Sequence, residues 1–292
     1  GGIFTLEEQI RIRLDKGPRR VSPFLVPMMM PNAPGASISM RWGLRGPNET
    51  ITTACAAGTH AIVYAARLIK WGLADAVVTG GAEHAGTPTS IASFANMTAL
   101  SSSGTSRPFD TDRDGFIMGE GAAALVLEEW SVAEARGATI LGEVLGGGSN
   151  ADAHHITAPS PGGVGAITCM RLALAEAGIS AGDIAQVNAH GTSTPLNDAA
   201  EAAAVAEVFG ESRPPVTSIK GVTGHALGAA GEGDLLGVVV EGRGVRRGLR
   251  RERCEGIDGR QEHLIAQDLE LCGVSLQQFI VEGDGDHREG CG

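Results

Sequence analysis

A cysteine set among small residues, Thr52-Thr53-Ala54-Cys55-Ala56-Ala57-Gly58-Thr59-His60, marks a sharp change of backbone pattern. Ile51 and the two threonines before it suit a strand. After it, Ala61, Ile62, Ala65, Leu68 and Ile69 recur at helical spacing as far as Gly72. Cys55 is therefore expected at a strand-to-helix elbow, where unpaired backbone N–H groups and the helix dipole favour a thiolate. Such a position suits a nucleophile. Spacing alone leaves a small, buried, inert cysteine equally open.

The rest of the chain reads as alternating strand and helix. Leu6, Ile10 and Leu14 share one helical face before Gly17 and Pro18 stop the helix. Residues 21–36, with four prolines around Met28-Met29-Met30, read as loop or a short broken helix whose methionines line a flexible apolar surface, as core filler or, alternatively, as one wall of an apolar pocket. Ala76-Val77-Val78-Thr79 is a buried strand, 101–121 a polar loop, 122–127 another strand, 132–136 a helix and 140–145 a strand. Gly146-Gly147-Gly148 follows without the spacing of a nucleotide fingerprint. A second round then runs through a helix at 164–177, a strand at 184–188, a helix at 198–209 and a strand at 216–219. This predicts a duplicated α/β fold with parallel sheets and reactive groups at strand ends, between the halves.

Composition narrows the function. A formal net charge of −11 argues against wholesale nucleic-acid binding. Cys55, Cys169, Cys254, Cys272 and Cys291 are odd in number and contain no CxxC pair, which fits neither a disulfide framework nor a zinc site and suits a cytoplasmic home. The sequence contains neither a signal-peptide pattern nor an apolar run approaching the ~20 residues that span a bilayer. The expectation is a soluble protein with no membrane partner.

Two histidines stand at strand-end turns, His190 in VNAHGTST and His225 in SIKGVTGHALGAAG, with Lys220 just upstream of the second. A cysteine, two imidazoles and a lysine at such elbows offer a nucleophile plus donors that polarise a carbonyl. His60, His84, His154 and His155 lack metal-ligand spacing and read as structural or solvent-facing. Arg107, Asp110, Arg113, Asp114 and Glu120 read as a structural charge network.

TACAAGTHAI, SRPFDTDRDGFIMGEGAAALVLEE, VNAHGTSTPLNDAAE and SIKGVTGHALGAAG, in this order, closely resemble the β-ketoacyl-acyl carrier protein synthases, in particular the elongating type II branch of bacterial fatty acid synthesis. The resemblance runs from about residue 1 to 231. It implies a thiolase-like, layered αβαβα fold of two related halves, 1–138 carrying the nucleophile and 139–231 carrying both histidines. It also implies a homodimer, acyl carrier protein as partner, and no metal or cofactor beyond the phosphopantetheine on the substrates. Cys55 would accept an acyl chain as a thioester. His190 and His225 would bind the malonyl thioester carbonyl through Nε2–H and promote decarboxylation and condensation. Lys220 would order the site electrostatically, and Thr192 and Thr194 would hold the phosphopantetheine arm, with turn capping as their alternative role.

The resemblance also shows departures. The carboxylate that partners the family's lysine is Glu, and here the matching position is Asp234. The family's Gly-Phe-Gly-Gly loop, which supplies the second oxyanion-hole N–H, has no counterpart in 232–292. That stretch is expected to be a divergent tail, disordered or out of frame, with 264–279 able to form a helix or strand pair. About a hundred residues of the family's length are expected to be missing before Gly1, so the fold is expected to be incomplete and elongation weak or absent. Two alternatives remain: a polyketide ketosynthase, which shares the Cys-His-His set, and a non-catalytic condensing-enzyme partner, which usually lacks the cysteine.

Overall fold

The computed structural model describes residues 1–212, 214–232, 238–242 and 274–281. The described helices are α1 (Ile3–Lys16), α2 (Leu25–Met29), α3 (Ala33–Trp42), α4 (Ala57–Lys70), α5 (Pro88–Asn96), α6 (Trp130–Ala135), α7 (Val164–Ala177), α8 (Pro195–Phe209) and α9 (Lys220–Thr223). The strands are β1 (Ala76–Glu83), β2 (Gly121–Glu129), β3 (Gly142–Gly147), β4 (Val187–Asn188), β5 (Val216–Thr217), β6 (Val238–Gly242) and β7 (Val274–Val281). Five strands form one sheet in the order β1-β2-β7-β3-β6, and β4 and β5 form a second, parallel pair.

The apolar face of α4 anchors the larger sheet. Ile62, Val63, Ala65, Ala66 and Ile69 pack on Leu125, Leu127 and Val144, so the helix that begins just after Cys55 is fixed by the hydrophobic effect to the strands behind it. Around the second sheet, Met170 of α7, Val187 of β4, and Ala204 and Phe209 of α8 make a separate cluster. The triple-glycine run is needed for close approach. A Cβ at Gly148 would lie 2.1 Å from the carbonyl oxygen of Cys169, so α7 reaches this stretch only because the side chain is absent.

Several expectations need correction. The larger sheet is mixed: β1 pairs antiparallel with β2, and β3 antiparallel with β6, while β7 runs parallel to both β2 and β3. The reason lies in the connection. Glu83 pairs with Gly121, so the segment between them leaves and re-enters the sheet at the same end and the strands must oppose. Residues 51–53 form no strand, because Ala54 adopts φ +53° and a 3₁₀ turn over Ala54–Ala56 leads directly into α4. The broken-helix reading of 21–36 matches α2 and the start of α3, but Met28, Met29 and Met30 are exposed rather than core. Leu6, Ile10 and Leu14 of α1 are also exposed, and Gln9 is the buried residue of that helix. Most of the expected tail over 232–292 lies outside the described residues; within it β6 and β7 join the larger sheet. Among the described residues, no helix is long and apolar enough to cross a membrane.

Leu127 is fully buried at the α4 interface. Leu127→Ala is expected to destabilise the fold by about 2–5 kcal/mol, read as a lower urea midpoint at unchanged slope.

Candidate active site

Cys55 lies in the 3₁₀ turn that leads into α4, half-buried, with its Sγ 3.0 Å from His225 Nε2. The two groups come from stretches far apart in sequence, joined by a close dock. Thr59, in the first turn of α4, donates its hydroxyl to the carbonyl of Gly231 at 2.9 Å, at the end of the helical stretch Leu227–Glu232 that follows His225. A Cβ at Gly231 would meet the Thr59 backbone nitrogen at 2.3 Å, so only glycine permits this approach.

The backbone of His225 is clamped by the 117–119 segment. Its N–H donates to the Ile117 carbonyl at 2.8 Å, and its carbonyl accepts from the Gly119 N–H at 2.9 Å. Its ring is 2% exposed and meets Phe116 edge-on at 5.1 Å and His190 edge-on at 5.3 Å. Burial, reinforced by the neighbouring His190 and Lys220, pushes the His225 imidazole down to about 3. The ring is therefore neutral at physiological pH and presents one N–H and one lone pair.

His190 follows β4, and its position depends on an acid that the sequence reading did not single out. Glu201, buried on α8, accepts the His190 N–H at 2.7 Å and the Gly191 N–H at 2.8 Å. Burial raises the Glu201 carboxyl, and the two amides and His190 oppose that rise. One turn earlier, Asp198, also buried, accepts the N–H groups of Phe109 at 2.7 Å and Ser193 at 3.1 Å. The two acids stand at i and i+3 near the start of the helix after HGTST. That spacing was visible in the sequence, as was Phe116 in the DGF stretch.

Thr192 is buried, and its hydroxyl lies 2.9 Å from that of Thr194. Thr194 occupies the N-cap position of α8, yet its side chain makes no capping hydrogen bond. Lys220 is fully buried at the start of α9, the same turn-to-helix segment that delivers His225. Asp234, the expected carboxylate partner of Lys220, lies outside the described residues. His60 Nδ1 is 2.8 Å from Thr53 Oγ1, His84 pairs with Glu120, and His155 Nδ1 accepts the N–H groups of Thr157 and Ala158. Within the charged loop, Asp114 is ringed by Ser101, Ser102 and Ser103, which hold its carboxyl far below the ordinary range, and Arg113 lies 3.8 Å from Asp198. The structure thus brings Cys55, His190 and His225 together, with their sulfur and nitrogen ligand atoms all within 4.8 Å of one another.

Two family profiles match in tandem: "Beta-ketoacyl synthase, N-terminal domain" over 2–133 and "Beta-ketoacyl synthase, C-terminal domain" over 141–241. The chain belongs to the β-ketoacyl synthase family. It is 46% identical to 3-oxoacyl-[acyl-carrier-protein] synthase 2 of Vibrio cholerae over 82% of this chain and 60% of that protein. It is likewise 46% identical to the enzyme of the same name from Synechocystis, over 82% and 59%. The chain thus spans about 60% of the length of these curated relatives. A β-ketoacyl synthase from Burkholderia phymatum superposes with a TM-score of 0.72 at 41% identity, covering 77% of this chain and 56% of that one. A ketosynthase solved with its type II PKS acyl-carrier protein, bound to the hexaketide, gives 0.73 at 32% identity over 79% and 60%. The fold is the thiolase-like α/β architecture of these ketosynthases. The C-terminal match passes beyond residue 231, where the motif resemblance stops.

Gly231→Ala is expected to separate Cys55 from His225 and to slow alkylation of Cys55 by iodoacetamide at least several-fold, read by peptide mass spectrometry. A second expectation follows from the depressed His225 value. An unfolded histidine takes up a proton below about 6.5, whereas the folded one resists until about 3, so its stabilising contribution is present above about 6.5 and is lost as pH falls through that window. His225→Asn should therefore lose less stability than the parent between pH ~7 and pH ~4 in urea titrations.

Proposed function

We propose that this chain carries the acyl-transfer and condensation site of a β-ketoacyl-acyl carrier protein synthase of fatty acid elongation. The observation that carries this reading is the 3.0 Å approach of His225 Nε2 to Cys55 Sγ, with the His190 ring edge-on beside it. In the first half-reaction the Cys55 sulfur attacks the carbonyl of an acyl thioester. The new C–S bond forms as the phosphopantetheine thiol departs with a proton. In the second, the malonyl thioester oxygen accepts hydrogen bonds from the His190 and His225 Nε2–H groups. Carbon dioxide leaves, the enolate so stabilised attacks the acyl-Cys55 carbonyl, and the Cys55 thiolate is released.

A neutral imidazole is the right donor here. Protonated histidines would give up a proton to the enolate and quench the carbanion before it attacked, whereas neutral N–H groups stabilise it without transferring one. Buried Lys220 supplies positive charge that helps keep His225 neutral. Thr192 and Thr194 are assigned to the phosphopantetheine arm, since their paired hydroxyls lie two and four residues beyond His190 and the Thr194 hydroxyl makes no capping bond to α8. Residues 1–138 form the half of the catalytic unit that carries Cys55, the half with both histidines runs from 139 through the end of the family match at 241, and the intact protein works as a cytoplasmic homodimer served by acyl carrier protein, without a metal cofactor. Exposed Phe4, Leu14, Met28, Met40 and Trp42 of α1, α2 and α3 supply apolar surface for the second protomer.

A polyketide ketosynthase is the second reading, supported by the likeness to the ketosynthase solved with its type II PKS carrier protein. The higher identity to the 3-oxoacyl-[acyl-carrier-protein] synthase 2 relatives favours fatty acid elongation. Incubation with an acyl thioester should add one acyl mass to the parent chain and none to Cys55→Ala; absence of acylation in the parent overturns the assignment. Loss of either imidazole, in His190→Ala or His225→Ala, should lower decarboxylation of a malonyl thioester by roughly 100-fold to 1000-fold.

A further inference from the structure

We infer that the Cys55-His190-His225 cluster is also an inhibitory site for a thiophilic divalent ion of the zinc type, which occupies the same atoms as the acyl group and so excludes it. The inference extends the proposed function to the regulation of that site, and it rests on that reading for its consequence, though not for the binding itself.

Geometry carries the argument. A tetrahedral zinc with one sulfur at ~2.3 Å and two nitrogens at ~2.0–2.1 Å places its ligand atoms about 3.3–3.6 Å apart. Here Sγ of Cys55 and Nε2 of His225 are already 3.0 Å apart, and no pair among the three ligand atoms exceeds 4.8 Å. Closing the set requires a shift of little more than ~1 Å, which rotations of the half-buried Cys55 and His190 side chains can supply, while the backbone clamp holds His225. One thiolate with two imidazoles also selects the ion: such a soft donor set takes Zn²⁺ or Co²⁺ and rejects Mg²⁺ and Ca²⁺, which need oxygen ligands. Three protein ligands leave a fourth position open for water.

The charges and protons balance. The ion replaces the Cys55 thiol proton, which goes to solvent, and each neutral imidazole contributes a lone pair, so nothing is oxidised or reduced. Ligation through Nε2 leaves the His225 proton on Nδ1, which has no hydrogen-bond partner among the described residues. Lys220 places a further positive charge near the ion, partly offset by Glu201 beside His190. Both effects set the affinity below that of a dedicated structural zinc site, as a reversible inhibitor requires.

Co²⁺ titration of the full chain tests this, because a cobalt–thiolate bond gives a near-ultraviolet charge-transfer band and tetrahedral cobalt gives visible d–d bands. The expected result is a one-to-one titration that Zn²⁺ reverses and Mg²⁺ does not. The charge-transfer band should disappear in Cys55→Ser, and binding should weaken at least tenfold in His190→Ala. His154→Ala/His155→Asn, which removes the exposed histidine doublet, should leave the titration unchanged. Stoichiometric Zn²⁺ should also protect Cys55 from iodoacetamide, with a chelator restoring labelling. Absence of a thiolate band in the parent, or its persistence in Cys55→Ser, overturns the inference. Acyl-Cys55 formation without a cobalt band would sink the ion site and leave the condensing function standing. A cobalt band without acylation would do the reverse.

Discussion

The contact on which the site depends is the dock of Gly231 against the first turn of α4. Cys55 belongs to the 3₁₀ turn that leads into α4, and His225, 170 residues away, to the turn between α9 and the Leu227–Glu232 stretch. The Thr59 hydroxyl bond to the Gly231 carbonyl and the absence of a Cβ at Gly231 bring the two stretches into backbone contact. The hydrophobic face of α4 then fixes that contact to β1, β2 and β3. Cys55 and His225 can therefore meet at 3.0 Å only if the helix, the sheet and the glycine-rich turn are all in place.

A second constraint is electrostatic. The site buries Lys220, Asp198 and Glu201 beside two imidazoles, and isolated burial of any one charge would be costly. The acids are used to hold backbone: four N–H groups, from Phe109, His190, Gly191 and Ser193, end on their oxygens. Fixing His190 through its peptide N–H holds the residue by its backbone, with its ring edge-on to that of His225. The buried lysine acts through its charge on His225, which stays neutral well below the pH at which an exposed histidine protonates. The same balance of one cation and a nearby acid explains how the cluster can bind an ion reversibly and still release it.

Much of this was legible in the sequence, for identifiable reasons. The helix at 164–177 was given by apolar spacing and glycine stops and matches α7 end to end. Cys55, His190 and His225 stood out because each reactive type sits beside small residues at an element boundary. Sheet polarity was not legible, since pattern within a strand says nothing about the direction in which its neighbour returns. The exposure of α1's apolar face and of the methionine segment was not legible, because amphipathicity identifies an apolar side without saying whether the same chain covers it. Glu201 and Asp198 escaped notice for a related reason. Acids near the start of a helix are common on solvent-facing helices, and only the fold shows that these two point inward at backbone amides.

Backbone strain gathers in the same place. Ala54, Ser193 and Leu227 have positive φ without being glycine, and they lie one residue before Cys55, three after His190 and two after His225. Conformations of this kind cost on the order of 1–3 kcal/mol each and persist only where surrounding contacts impose them. Ser193 shows those contacts most fully: its N–H goes to Asp198, its hydroxyl accepts from the Arg107 N–H, and its carbonyl accepts from the Gly115 N–H. The long charged loop is thus part of what holds His190 in position, although it contributes no reacting group. Stability spent on these three turns is what aims one sulfur and two imidazoles at a common point.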